Sequence, residues 1–324
     1  MIFAGFFTLS CPFHAFPLMH IAWCRQISAP ANLESPSFET SAAGCGLCCL
    51  TILYFLLQKG VLFFMETFLG LMIPFIGTTL GAACVFFLRG MLPDRLQKGL
   101  LGFASGVMIA ASIWSLIIPS IEQSAHLGKL SFLPAVVGFL VGILSLLLID
   151  RIVPQIYAQA ESGNDSALSK FHKTTMLVLA VTIHNIPEGM AVGAVFAGVL
   201  AQNTPLTMAG AFALSIGIAI QNFPEGAIIS LPLRGERGMS RSKAFLCGTL
   251  SGIVEPIAGL LTIALSAFMT PLLPYSLSFA AGAMMYVVAE ELIPEAASDT
   301  KSNIGTIGLS LGFVLMMMLD VTLG

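Results

Sequence analysis

The chain has 324 residues, 56% of them hydrophobic and only 10% charged, with a formal net charge of −3 and a mean hydropathy of +0.92. About a quarter of an ordinary soluble domain is charged, so this composition excludes a soluble fold. The small net charge argues neither for a nucleic-acid partner nor for an acidic substrate, and no nucleic acid is expected as a partner.

In chain order, the first 64 residues are an N-terminal extension and 65–324 form the main domain. The extension mixes an apolar start, a polar stretch from Ala29 to Thr40 and a second apolar run from Gly46 to Met65, broken by Gln58, Lys59 and Gly60. A targeting signal, an extra helix and an over-extended gene model opening at Met65 all stay open for it. Cys11, Cys24, Cys45, Cys48 and Cys49 fall here, with only Cys84 and Cys247 beyond, a distribution that gives no disulfide framework. The CxxC from Cys45 to Cys48 beside an apolar run is a weak metal signal.

Apolar stretches long enough to cross the bilayer, which takes about 20 helical residues, occur near 66–88, 99–118, 132–150, 174–200, 207–232, 244–269, 273–295 and 304–323. Backbone polar groups in hydrocarbon must be satisfied within the segment, and the stretches lack the alternation of a barrel. The expected class is therefore an all-α, polytopic bundle of eight transmembrane helices. The odd-numbered loops hold Arg89, Arg95, Lys98, Arg151, Lys170, Lys173, Arg234, Arg237, Arg241, Lys243 and Lys301, whereas the even-numbered loops hold Lys129 alone. The positive-inside rule puts the odd loops in the cytoplasm and both ends of the eight-span core outside or in a lumen, with a cell membrane as the expected location.

Charged side chains at bilayer depth cost at least about 2.5–3.5 kcal/mol each on insertion scales, which makes each a functional candidate. The fourth span holds His184-Asn185-Ile186-Pro187-Glu188-Gly189 and the fifth holds Gln221-Asn222-Phe223-Pro224-Glu225-Gly226, two copies of one hexapeptide pattern. His184 and Gln221 lie four residues before their glutamates and Asn185 and Asn222 lie three before, so each set shares a helix face. Pro187 and Pro224 free the carbonyls of Ile183 and Ile220 and should kink the helices, a break tolerated where a helix lines an ion path. The sixth span adds Glu255-Pro256, and the seventh adds Glu290 and Glu291 before Leu292-Ile293-Pro294.

No Lys or Arg occurs between Thr174 and Leu233, and none lies within ten residues of Glu255. Unpaired carboxylates at that depth are either protonated or hold a cation. Carboxylates, one imidazole and amide oxygens without a thiolate suit Zn²⁺, Fe²⁺, Mn²⁺ or Cd²⁺ better than Cu⁺. Glu122, His126 and His172 read as solvated loop residues, and Met284, Met285 and Met316 to Met318 as packing.

At these residues the sequence resembles the ZIP family of metal transporters, in particular its GufA-like branch, over residues 66–324. The resemblance implies eight helices in a 3+2+3 arrangement, uptake of Zn²⁺ and related metals toward the cytosol as transported substrate with no prosthetic group, and homodimers. It also implies a first metal site at His184, Glu188, Gln221 and Glu225, and a second at Asn185, Glu188, Asn222, Glu225 and Glu255, with Glu290 and Glu291 on the exit side. Many members carry an acid where Asn222 stands and a histidine where Gln221 stands, and many carry a histidine-rich third loop that here holds only His172. Leu116-Ile117-Ile118-Pro119 echoes Glu291-Leu292-Ile293-Pro294, as expected of related helix triplets flanking the site-bearing pair. Two other readings are a proton-coupled carrier of an organic solute, which leaves the amides and imidazole unexplained, and an intramembrane zinc hydrolase. A hydrolytic zinc usually needs several histidines, and His184 is the only histidine in a core span, so no enzyme is expected.

Overall fold

The computed structural model describes residues 62–88, 92–160, 166–201, 206–235, 238–268, 270–298 and 302–323, with the side chains of 153–177, His172 included, outside the described set. The extension and its five cysteines lie outside it as well.

Eight described helices are long and apolar enough to cross a membrane: α1 Leu62–Phe87, α2 Asp94–Gln123, α3 Phe132–Ile152, α4 Val181–Ala201, α5 Met208–Gly235, α6 Arg241–Ser266, α7 Leu273–Ala296 and α8 Ile304–Leu323. They coincide with the expected spans to within a few residues, and the described residues contain no strand. The stretch read as the third loop is shorter than expected, because α3 continues to Ala160 and α4 begins at Ser166.

Proline shapes these helices in three ways. Helices α4 and α5 run as α-helix straight through Pro187 and Pro224, so the expected break is absent there. Instead α6 is interrupted at Ile253, just ahead of Pro256, which has no N–H for the carbonyl one turn earlier. Helices α2 and α7 each widen into a π-helical turn, Ser112–Ile117 and Val288–Leu292, directly before Pro119 and Pro294. A π turn carries one extra residue and relieves the proline ring's clash with the preceding turn.

With lipid tails as apolar as leucine, helices in a bilayer associate through close packing of small residues. A Cβ at Gly102, Gly106, Gly308 or Gly312 would come within 2.2 Å of backbone oxygen on the partner, so α2 and α8 touch backbone to backbone. Gly138, Gly142 and Gly282 join α3 and α7 in the same way, with Phe279 on α7 standing where Phe103 stands on α2. Gly189 meets the Glu255 carbonyl across α4 and α6, and Gly226 meets the Thr78 carbonyl across α5 and α1. The contacts thus relate α1 to α6, α2 to α7, α3 to α8 and α4 to α5. Four spans lie between the members of each of the first three pairs, so each pair runs antiparallel.

The outward surface is apolar. Ile307, Leu311, Val314, Met318 and Val321 form an exposed stripe on α8, and Leu140, Leu144 and Leu148 form another on α3, as expected of a lipid-facing surface. Polar residues gather instead where α4, α5 and α6 meet.

The backbone contacts predict a contrast along one helix. Gly106→Ala should lower the thermal midpoint of the detergent-purified protein by an amount matching about 1–3 kcal/mol of overpacking, because its new methyl would lie 2.0 Å from the Leu309 carbonyl oxygen. Gly99→Ala, whose methyl would find its nearest neighbour at 3.4 Å, should leave the midpoint unchanged in a fluorescence-detected melting assay.

Candidate metal site

Because α4 and α5 stay helical through their prolines, each presents its hexapeptide as one continuous face. Asn185, Glu188, Gln221, Asn222 and Glu255 are all buried, with Glu188 and Glu255 at 1% exposure, and His184 is at 8%. Glu225 is half-buried.

The inner part of the cluster is held by a few bonds. The Gln221 side-chain amide donates to Glu188 Oε1 at 2.6 Å. The Thr78 hydroxyl of α1 donates to Glu255 Oε1 at 2.8 Å. The Asn185 amide donates to the Ser251 carbonyl at 3.0 Å, using an acceptor beside the interruption in α6. What remains is a set of acceptors with no hydrogen-bond partner among the described residues: Glu188 Oε2, Glu255 Oε2, Asn185 Oδ1 and Gln221 Oε1. Asn222 lies against both Glu188 and Glu255, yet neither of its polar atoms reaches hydrogen-bonding geometry. Buried carboxylate and amide oxygens without partners are the kind of donors that a hard or borderline cation takes.

A second group lies beside the first. His184 Nε2 is 2.9 Å from Glu291 Oε1, and Asp150 of α3 joins them, with ligand atoms of all three within 4.8 Å of one another. Glu225 is within electrostatic reach of His184 and Glu291 on one side and of Glu188 and Glu255 on the other. The two groups are therefore neighbours. Glu290 is exposed and stands outside both.

The structure thus brings His184, Asn185, Glu188, Gln221, Asn222, Glu225, Glu255 and Glu291 into one polar region and leaves Glu290 at its edge. Asp150 and Thr78 escaped the sequence reading. Asp150 precedes Arg151 at the end of the expected third span, where a carboxylate is ordinarily solvated, although the helix itself runs on to Ala160, and a threonine in an apolar helix usually bonds its own backbone. Across the bundle, Asp320 of α8 accepts a 2.6 Å hydrogen bond from the Ser115 hydroxyl in the π turn of α2. The two line a cavity of about 200 Å³ with Trp114, Glu122 and Thr207. Glu122 and His126 are both exposed, but Glu122 lies in the last turn of α2 rather than in the loop where the sequence placed it, and it lines this cavity.

A polytopic helical bundle with unpaired carboxylates, amides and an imidazole at its centre belongs to the class of intramembrane cation-binding proteins. The family model described as ZIP zinc transporter matches residues 160–320. The zinc transporter ZIP11 of Xenopus tropicalis is 39% identical, over 80% of this chain and 98% of that one. The zinc transporter ZIPB of Bordetella bronchiseptica is 36% identical, over 77% and 79%, and the zinc transporter GufA of Myxococcus xanthus is 35% identical, over 76% and 94%. The chain belongs to the ZIP family.

Crystals grown with Zn²⁺ should show anomalous scattering from an ion held by Asp150, His184 and Glu291 at Zn–N and Zn–O distances of about 2.0–2.2 Å. Asp150→Asn should weaken that peak and spare density between Glu188 and Glu255, while Glu290→Gln should change neither.

Proposed function

We propose that the chain carries Zn²⁺ and related divalent transition metals across the membrane toward the cytosol, and that His184, Asn185, Glu188, Gln221, Asn222, Glu225 and Glu255 bind the travelling ions as an adjacent pair. One observation carries this reading. Glu188 and Glu255 are almost fully buried, each with an unpaired oxygen, and among the described residues no Lys or Arg forms an ion pair with either. A carboxylate pair left that way in an apolar bundle is strongly disfavoured unless a cation or protons balance it. The names of the relatives supply the metal, since all three are called zinc transporters.

The charge distribution supports a direction. With the basic odd loops in the cytoplasm, the Asp320–Ser115 cavity opens on the outer side and attracts cations there, the central acids hold them, and Asp150, Glu291 and His184 receive them on the cytoplasmic side. The ions are cargo, so the site has to release them as well as bind them. Amides among the carboxylates weaken the grip enough for release. Homodimers, as the resemblance implies, are consistent with the apolar outer faces of α3 and α8. A hydrolytic use of zinc has little support with one imidazole in the cluster.

Glu188→Gln keeps the shape and removes the charge, so ⁶⁵Zn²⁺ uptake into proteoliposomes should fall to the protein-free background with expression and elution profile unchanged. Normal uptake by this variant would falsify the assignment. Asn222→Asp should do the opposite to binding. A fourth carboxylate beside Glu188, Glu225 and Glu255 adds repulsion that a second ion relieves, so the dissociation constant for the second Zn²⁺ should drop by about an order of magnitude. The initial uptake rate should not rise with it, because tighter holding slows release.

A further inference from the structure

We propose that Thr78, in a helix that contributes no ligand to the proposed metal pair, is the positioning residue that orients Glu255 and so determines whether the second ion is retained; this rests on the two-metal reading above.

The first support is geometric. Thr78 is fully buried, and its hydroxyl oxygen lies 2.8 Å from Glu255 Oε1 but 3.4 Å from the Pro74 carbonyl of its own preceding turn. A threonine in an apolar helix normally gives its proton to that carbonyl. Here the shorter bond goes to a carboxylate on another helix. With Oε1 fixed, Oε2 of Glu255 is the atom left without a partner among the described residues. The bond therefore leaves one carboxylate oxygen free for an ion.

The second support is the internal repeat. Gly189, which follows Glu188, packs on the Glu255 carbonyl, and Gly226, which follows Glu225, packs on the Thr78 carbonyl. Thr78 thus stands on α1 where Glu255 stands on α6. The two repeat-related residues meet through their side chains, and the neutral member supports the charged one. Gly252 completes the seat: a methyl there would lie 3.0 Å from Glu255 Oε1 and 2.9 Å from the Thr78 Cβ, so nothing larger than hydrogen fits beside the pair.

Thr78→Val keeps the volume and removes the donor, whereas Thr78→Ser keeps the donor. Equilibrium Zn²⁺ titration of the full chain in detergent should fill both positions of the pair in wild type and in Thr78→Ser. Thr78→Val should bind the first ion normally and the second about 10- to 100-fold more weakly, the usual effect of removing a partner that orients a metal ligand. In a Glu255→Gln background, Thr78→Val should add no further loss. Wild-type binding by Thr78→Val, alongside a binding defect in Glu188→Gln, overturns the role of Thr78 and leaves the metal site standing. A defect in Thr78→Val that serine does not rescue marks a packing role and overturns it too. Two ions bound normally by Glu188→Gln would sink the metal-pair reading itself.

Discussion

The structure is organised around one electrostatic constraint: carboxylates buried in an apolar bundle without basic partners. Glu188 and Glu255 are as inaccessible as the leucines around them. Ion pairing, the usual solution for buried acids, is missing, since the described ion pairs are Lys98–Asp94 and His184–Glu291. Neutral donors do part of the work instead. Gln221 takes one oxygen of Glu188 and Thr78 one of Glu255, and in both cases the other oxygen stays open. A neutral donor steadies a carboxylate without cancelling its charge, so the centre keeps its demand for a cation.

That arrangement needs a rigid frame. Helices that meet backbone to backbone at glycine have little freedom to slide or roll. The glycine after each hexapeptide glutamate is such a contact, tying Glu188 to α6 and Glu225 to α1. Three of the backbone irregularities carry or face polar groups. The interruption in α6 offers a carbonyl to Asn185, and the π turns of α2 and α7 carry Ser115 and Glu291. This agrees with the rule that non-helical backbone at membrane depth survives only where protein or a cavity satisfies it.

Much of this was legible in the sequence. The eight spans follow from hydropathy alone, and the doubled hexapeptide places two helix faces because residues three and four apart cannot help sharing one. Partners across helices were beyond reach. Nothing local to Asp150 separates it from an ordinary helix-end acid, and nothing local to Thr78 shows that a carboxylate of α6 lies opposite. The points where the backbone leaves the α-helix were not legible either. Proline's missing N–H predicts a defect, but whether the helix breaks, widens into a π turn or carries on depends on its neighbours, and Pro187, Pro224, Pro256, Pro119 and Pro294 show all three outcomes.

The two halves of the molecule share a scaffold but differ in chemistry. Gly138, Gly142 and Asp150 on α3 have the same spacing as Gly308, Gly312 and Asp320 on α8, and each aspartate faces a π turn of the opposing helix. Across this repeat Asn185 matches Asn222 and Glu188 matches Glu225. Three pairs differ: His184 against Gln221, Glu255 against Thr78 and, counted forward from the matched Phe279 and Phe103 rather than back from the prolines, Glu291 against Ser115, the π turns being five and six residues long. In each the ionisable member lies with Asp150 or the central acids, and the other is a neutral hydrogen-bonding side chain. A symmetric bundle alone would hold a cation equally well toward either face. Gathering the ionisable members of the three pairs around Asp150 and the central acids breaks the symmetry of the scaffold, and it leaves Asp320 facing the neutral Ser115 where Asp150 faces Glu291.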